Sequence, residues 1–133
     1  METKKVALII FYDNKKRILI QDRKGISKFG EEWGYFGGQI EEGETPEEAV
    51  VRETKEELSF DIKDHKFIGI FKNKINDNLF VERYVFISPL KDKLSKFRQI
   101  EGRGMKLFSI DEAKKVKSVR GDDLVLKKLE EIL

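Results

Sequence analysis

Cysteine is absent from the chain, so disulfides, thiolate nucleophiles and cysteine-based zinc sites are all excluded. Long hydrophobic runs are also lacking, because the longest one near the start, residues 6–12, is far shorter than a membrane span. The charge and cleavage pattern of a secretory signal is missing too. These absences predict a soluble, cytoplasmic protein with no membrane partner.

A strong excess of one charge is missing as well. The chain has 27 Lys and Arg residues against 25 Asp and Glu residues, for a formal net charge of +2. This near balance of charges argues against a surface that binds along a long nucleic acid. The 133 residues, of which 39% are apolar and 39% charged, suit one domain over residues 1–133 with a single packed core.

Strand-like and helix-like segments alternate along the chain, which predicts a mixed α/β domain. Branched and aromatic residues predict strands over residues 6–12, 17–23, 66–71, 79–88 and 105–108, with a turn-rich segment over residues 73–78. Helices are predicted over residues 46–58, in a short segment after Ser109, and from about Asp122 onwards, where Asp122 and Asp123 are expected to cap the helix.

The start of the first predicted helix carries a clear signal. Thr45 is expected as the N-cap, Pro46 fits the first helical position, and Glu48 completes a capping box. The core-facing arc is then expected to hold Val50, Val51, Thr54 and Leu58.

Glycine is concentrated just before this helix, with five of the ten glycines between residues 30 and 43. So many permissive positions predict tight turns and a close approach of the main chain to a ligand. The interleaved aromatic residues Trp33, Tyr35 and Phe36 favour packing or stacking over a loose surface loop.

Three glutamates on the helix, Glu53, Glu56 and Glu57, are three or four positions apart and share one face. Like charges in this arrangement repel one another, and a hard divalent cation such as Mg²⁺, which prefers carboxylate oxygens, relieves the repulsion. The cluster therefore predicts a metal site, and a metal on carboxylates points to phosphate chemistry.

The spacing of these glutamates belongs to a longer motif. It matches G-x5-E-x7-R-E-U-x-E-E-x-G-U, where U is a bulky aliphatic residue, over residues 38–60, with Gly38, Glu44, Arg52, Glu53, Glu56 and Glu57 in the defining positions. The chain thus resembles a Nudix hydrolase of the MutT-like group, and its order of elements matches that family over nearly the whole length. The resemblance implies an α/β/α sandwich with a mixed sheet between helices.

The chain departs from the family motif at a few positions. Ser59 replaces the usual glycine near the end of the box, and the two aliphatic positions hold Thr54 and Phe60. Phe36 stands where many relatives have proline. None of these changes removes a carboxylate.

The resemblance implies a role for each box residue. Glu53, Glu56 and Glu57 would hold Mg²⁺, with Mn²⁺ as a substitute, and a carbonyl of Gly37 or Gly38 would complete the shell. Glu53 would also act as a base. Glu44 would orient the helix or bind an ion, and Arg52 would position a glutamate.

Outside the box the expectations come with alternatives. Glu101 is a candidate for an additional base or metal ligand, with Glu82 as its competitor. Arg23 and Arg103 are candidates for phosphate contacts, with surface cations as the alternative. Trp33, Tyr35 and Phe36 are candidates for stacking on a base, with core packing as the alternative. For Asp122 and Asp123, the resemblance implies a contact with the base as the alternative to helix capping.

The leading functional hypothesis is a Mg²⁺-dependent hydrolase that cleaves a diphosphate linkage in a nucleoside diphosphate bonded to another group. A small nucleoside triphosphate is the favoured substrate, and no long nucleic acid is expected. The alternative is a nucleotide-binding sensor with little or no turnover. Isomerisation of a prenyl diphosphate, a third activity among relatives, is disfavoured because the usual mechanism needs a cysteine. The oligomeric state is left open, with a homodimer among the alternatives.

Overall fold

The computed structural model describes residues 1–99 and 104–133. Its seven strands form one sheet: β1 (Glu2–Tyr12), β2 (Ile18–Asp22), β3 (Trp33–Gly34), β4 (Phe36–Gln39), β5 (Lys66–Asn76), β6 (Leu79–Pro89) and β7 (Met105–Phe108). The helices are α1 (Pro46–Leu58), α2 (Ile110–Ala113) and α3 (Asp122–Ile132), with a 3₁₀ turn at Leu94–Lys96.

The sheet is mixed, as predicted. β1 and β6 run parallel over their whole length, whereas β1 pairs antiparallel with β2 and β4, β2 with β3 and β7, and β5 with β6. Across the sheet, the strands lie in the order β3-β2-β1-β6-β5. β1 is therefore central, and the short glycine-containing strand β4 also pairs with it.

Side-chain alternation along β1 divides the core into two layers. Ala7, Ile9 and Phe11 pack in a cluster that includes Val50 and Leu58 of α1. On the other face of the sheet, Ile10 packs in a second cluster that includes Val125 and Leu129 of α3. Helices therefore cover both faces, and the predicted α/β/α sandwich is confirmed.

Helix α1 begins as the sequence predicts. The hydroxyl of Thr45 accepts a hydrogen bond from the backbone N–H of Glu48 at 3.1 Å, and the carboxylate of Glu48 accepts one from the N–H of Thr45 at 2.9 Å. The core-facing prediction holds for Val50, Thr54 and Leu58, whereas Val51 is only partly buried. Glu57 is buried instead, with 8% of its surface exposed.

Three predictions about local structure are wrong. Residues 36–39 form strand β4 rather than a turn, because they pair with β1. The predicted turn after residue 72 begins later, since β5 continues to Asn76. Asp122 does not cap α3: the N-cap is Gly121, without a side-chain capping bond.

No helix among residues 1–99 and 104–133 is long and apolar enough to cross a membrane.

Candidate functional site

Strand β4 and helix α1 meet at two adjacent glycines. Gly37 has φ +139°, and a Cβ at this position would lie 2.1 Å from the carbonyl oxygen of Ala7. A Cβ on Gly38 would lie 2.5 Å from the carboxylate of Glu53. The N–H of Gly37 donates to Oε1 of Glu57 at 2.7 Å. The glycines are thus needed for space, and they allow two box glutamates to lie directly against the strand.

Arg52 connects the other members of the box. Its Nε and Nη2 donate to the two carboxylate oxygens of Glu44 at 2.7 and 2.9 Å. Its Nη1 donates to Glu53 at 2.9 Å and lies 3.3 Å from Glu56. Nη2 also donates to the carbonyl of Gln39 at 3.0 Å. One guanidinium therefore fixes three of the predicted glutamates and the end of β4.

The charges of this cluster are coupled. Hydrogen bonds from Arg52 and from the backbone of Glu41 lower the pKa of Glu44 to about 2. Hydrogen bonding to Glu44 and Glu53 raises the pKa of Arg52 above its ordinary value. Burial raises the pKa of Glu53 despite the opposing effect of Arg52, and the negative charges of Glu56 and Glu44 add to the increase. The loss of contact with water on burial is therefore the main reason that Glu53 holds its proton more tightly than a free glutamate.

The donor chemistry of this cluster fits a hard divalent cation, since it offers carboxylate oxygens beside an exposed backbone strand. Within the described ranges, however, no three acidic or histidine side chains are close enough together to form a metal site as they stand. The side chain of Glu56 is 59% exposed and that of Glu53 is 15% exposed, with the Arg52 guanidinium between them. A positive charge already bridges these two carboxylates, so a metal ion bound here would share them with Arg52.

A cleft of about 180 Å³ lies on the other side of Gly37 and Gly38. Its walls carry both signs of charge. The cations are Lys4, Arg23, Lys28 and Arg83, and the anions are Glu31 and Asp122. None of the box glutamates lines this cleft, but Gly38, which does, lies beside Glu53, so strand β4 is what separates the cleft from the box.

Two ion pairs lie in the cleft wall. Arg23 Nε donates to Glu31 at 2.8 Å. Arg83 Nε donates to Asp122 at 3.2 Å, and both side chains are almost fully buried. Burial raises the pKa of Asp122 to about 6, against the lowering effect of Arg83. The hydroxyl of Tyr35 donates to the backbone carbonyl of Asp122 at 3.1 Å.

Of the three aromatic residues considered for stacking, Tyr35 lines this cleft and Trp33 and Phe36 do not. Phe36 has 0% exposure and packs in the core cluster beneath α1, so the prediction that it stacks on a substrate is wrong. Trp33 is partly buried. Its ring packs against that of Phe108 in an edge-to-face arrangement, with 5.0 Å between the ring centroids, and the amino group of Lys24 lies over it. Its predicted substrate contact stays a prediction.

The remaining candidates are dispersed. Glu82 lies in β6, where it accepts a hydrogen bond from Tyr84 at 3.3 Å, and it does not line the cleft. Glu101 and Arg103 lie outside the described residues.

Sequence reasoning missed the roles of Arg83 and Glu31. The run Val81-Glu82-Arg83-Tyr84-Val85 alternates, and its period of two places Arg83 on the same face as the buried Val81 and Val85. An arginine at an inward position is a signal for a buried pair. Glu31 gives no comparable signal, because it lies in a loop.

Comparison with known proteins decides the family. The family model described as NUDIX domain matches residues 2–129. The chain belongs to the NUDIX domain family. Among the curated relatives, an 8-oxo-dGTP diphosphatase of Proteus vulgaris is 27% identical over 97 residues, which are 71% of this chain and 87% of that protein.

A dihydroneopterin triphosphate diphosphatase of Escherichia coli K12 is 35% identical over 57 residues, 43% of this chain and 36% of that protein. Among solved structures, the E. coli ORF135 protein superposes with a TM-score of 0.77 at 18% identity, over 99% of this chain and 91% of that one. The predicted Nudix fold and the assignment to Nudix hydrolases are therefore confirmed.

Proposed function

We propose that this Nudix hydrolase is Mg²⁺-dependent and cleaves a diphosphate linkage in a small nucleoside triphosphate. The observation that carries the proposal is the contact of Arg52 with Glu44, Glu53 and Glu56, close to Gly38 on the wall of the cleft. Glutamates held this close to one another suit metal-assisted hydrolysis.

In this proposal Glu53, Glu56 and Glu57 hold the cation together with the backbone carbonyl of Gly38. When bound, Mg²⁺ polarises a phosphoryl oxygen and lowers the pKa of a water molecule. Glu53, which lies against Gly38, accepts the proton of the attacking water. Glu57 keeps helix α1 in register with β4 through its bond to Gly37.

Arg52 and Glu44 act by orienting Glu53 in this proposal. The bidentate pair fixes the guanidinium, and Nη1 then fixes the carboxylate. Glu101 remains a prediction for an additional base or metal ligand, and Arg103 remains a prediction for a phosphate contact.

In this proposal the cleft receives a nucleotide whose base presents hydrogen-bond donors on one edge. Arg23 and Lys28 on its wall suit phosphate oxygens. The relatives' names specify 8-oxo-dGTP and dihydroneopterin triphosphate; both compounds are triphosphates that share a 2-amino-4-oxopyrimidine ring. Asp122 on the cleft wall suits the ring N–H and amino donors. Arg83 holds that carboxylate in place, because its own N–H groups donate to Asp122, Asn73 and the carbonyl of Arg120.

A second candidate function, a nucleotide sensor with weak turnover, is favoured by one observation. Glu53 and Glu56 share the guanidinium of Arg52, and no closed cluster of three metal-binding side chains exists in the portion of the chain that is described. A protein in which Arg52 permanently replaced the cation would bind nucleotides without hydrolysing them.

A panel of nucleoside triphosphates, including oxidised ones, incubated with Mg²⁺ or with EDTA, tests the two functions. Release of diphosphate or phosphate that depends on Mg²⁺ supports the hydrolase. Binding without release, unchanged in Glu56→Gln, supports the sensor. Running the reaction in ¹⁸O-labelled water identifies which phosphorus is attacked. The cytoplasmic location and the oligomeric state are not decided by this experiment and stay predictions.

A further inference from the structure

A buried carboxylate lies beside the cleft without a part in the proposed hydrolysis. Glu31 has 3% of its surface exposed, although it lies in a loop between strands. Its Oε2 accepts a hydrogen bond from Nε of Arg23 at 2.8 Å. Its Oε1 accepts from the backbone N–H groups of Lys28 at 3.1 Å and Phe29 at 2.9 Å. Both oxygens are therefore engaged, one with a cation and one with the loop.

The carboxylate of Glu31 is held in its charged form. Burial acts to raise its pKa, but hydrogen bonds from the N–H of Phe29 and from Arg23 outweigh burial, so the pKa of Glu31 lies below its ordinary value. A charged, hydrogen-bonded group of this kind fixes its partners more firmly than a neutral one.

Arg23 has little freedom to move. Besides its bond to Glu31, its Nη1 donates to the buried amide oxygen of Gln21 at 3.0 Å. Its aliphatic part crosses Gly34, where an added Cβ would lie 2.6 Å from the Cδ atom of Arg23. Three neighbours thus hold the guanidinium in one place.

The groups that Glu31 holds all line the same cleft. Arg23, Lys28 and Phe29 lie on its wall together with Gly38, the residue that contacts Glu53. One carboxylate therefore sets the position of a cation and of the loop beside it. A guanidinium fixed before binding loses less conformational entropy when a phosphate binds than a free one does.

We propose that Glu31 is a positioning residue for the phosphate chain of the nucleotide. It holds Arg23, together with the backbone of Lys28 and Phe29, in the arrangement that receives the phosphate groups. This role rests on the proposed function, because it requires a phosphorylated substrate in the cleft. It differs from the roles of Glu53, Glu56 and Glu57, which lie on α1 and, in the proposed function, hold the cation and activate the water.

The variant Glu31→Gln separates the two functions of the carboxylate, which are to hold the backbone of the loop and to hold the guanidinium of Arg23. Its amide oxygen can still accept from the N–H groups of Lys28 and Phe29, so the loop is retained. Its amide nitrogen then faces Nε of Arg23, donor against donor, and the guanidinium is released. We expect KM for the nucleoside triphosphate to rise about tenfold, the loss of one charge-assisted hydrogen bond, while kcat stays within about threefold.

Glu32→Gln is the matched control, because Glu32 is the next residue, is exposed, and loses the same charge. It should leave KM and kcat unchanged. Gly34→Ala provides an independent displacement of Arg23, since the new methyl group collides with its side chain while Glu31 stays intact. Its KM should rise as in Glu31→Gln.

A binding measurement distinguishes positioning from general structural support. The affinity for a non-hydrolysable triphosphate analogue should fall in Glu31→Gln, whereas the affinity for the corresponding monophosphate should change little. In an Arg23→Ala background, Glu31→Gln should have little further effect, because the residue acts through Arg23. A further loss of similar size in that background would overturn the proposal.

The outcomes for this proposal and for the proposed function are separable. If the wild-type protein neither binds nor hydrolyses nucleotides, the proposed function fails. If the wild-type protein hydrolyses them and Glu31→Gln behaves like Glu32→Gln, the positioning role alone is overturned. Should Glu31→Gln not fold, Glu31→Asp tests the same role: the shorter carboxylate cannot reach Arg23 and the loop together, so an unchanged KM would overturn it.

Discussion

At the scale of single residues, Arg52 brings the box together. Its guanidinium contacts Glu44, Glu53 and Glu56 within one small region, while the pKa of Glu53 is raised by burial. A cation that enters beside Glu53 and Glu56 would relieve their repulsion, and the bidentate bond to Glu44 would keep Arg52 in place.

Removal of one box carboxylate should abolish most turnover without unfolding the protein. Glu53→Gln and Glu57→Gln keep the side-chain volume but lose the charge, and we expect kcat to fall about a hundredfold or more. Steady-state kinetics and circular dichroism measure the two effects. Glu47→Gln on the same helix, whose carboxylate lies against His65, is the control and should be normal. Normal activity in both box variants would refute the assignment.

Asp122 should make the stability of the protein depend on pH. Its pKa is raised by burial from 3.8 to about 6, so the folded chain binds this proton more tightly than the unfolded chain. Its contribution therefore lowers the free energy of unfolding as the pH rises from about 4 to about 6, and is constant above that range.

The variant Asp122→Asn removes this titration. The difference in the free energy of unfolding between the wild-type protein and the variant should therefore change by about 3 kcal/mol at most across this window. Urea unfolding of both proteins at several pH values between 4 and 7 measures the difference. A difference that is independent of pH would show that Asp122 titrates normally.

At the scale of elements, helix α1 ends in a conformation that suits glycine. Ser59, at the position where relatives usually have glycine, has φ 52° and ψ 37°, in the left-handed region. Its N–H donates to the carbonyl of Lys55 at 3.0 Å. Ser59 therefore adopts the conformation that glycine prefers, which adds strain at a residue with a side chain.

Ser59→Gly should relieve this strain. We expect the free energy of unfolding to rise by about 0.5–1 kcal/mol, because glycine adopts the left-handed conformation without a Cβ penalty. Chemical denaturation measures the change, with Ser59→Ala as the control that should give no gain. Equal stability of the glycine and alanine variants would show that the conformation costs nothing here.

Local signals predicted some elements well and others poorly. Thr45, Pro46 and Glu48 identified the start of α1 because a capping box acts through neighbouring residues. Strand β4 was not predicted, since Gly37 and Gly38 favour turns locally and become a strand only by pairing with β1.

At the scale of the whole molecule, the unpredicted parts depend on contacts between distant residues. Asp122 has the local signal of a helix cap, but it pairs with Arg83, 39 positions away in sequence. Phe36 is buried because β4 lies beneath α1, which no neighbouring residue indicates. The six motif positions could be predicted from the sequence because their chemistry requires a fixed spacing along the chain. The residues of the cleft wall come together only when distant strands and helices pack in the folded protein.

The most direct test of the proposed hydrolase is a crystal grown with a non-hydrolysable nucleoside triphosphate and Mn²⁺ in place of Mg²⁺. Anomalous scattering would locate the cation independently of the side chains. We expect the cation among the carboxylates of Glu53, Glu56 and Glu57 and the carbonyl of Gly38, in contact with a phosphate oxygen. A cation and nucleotide bound elsewhere, with those three carboxylates turned away from both, would contradict the proposal.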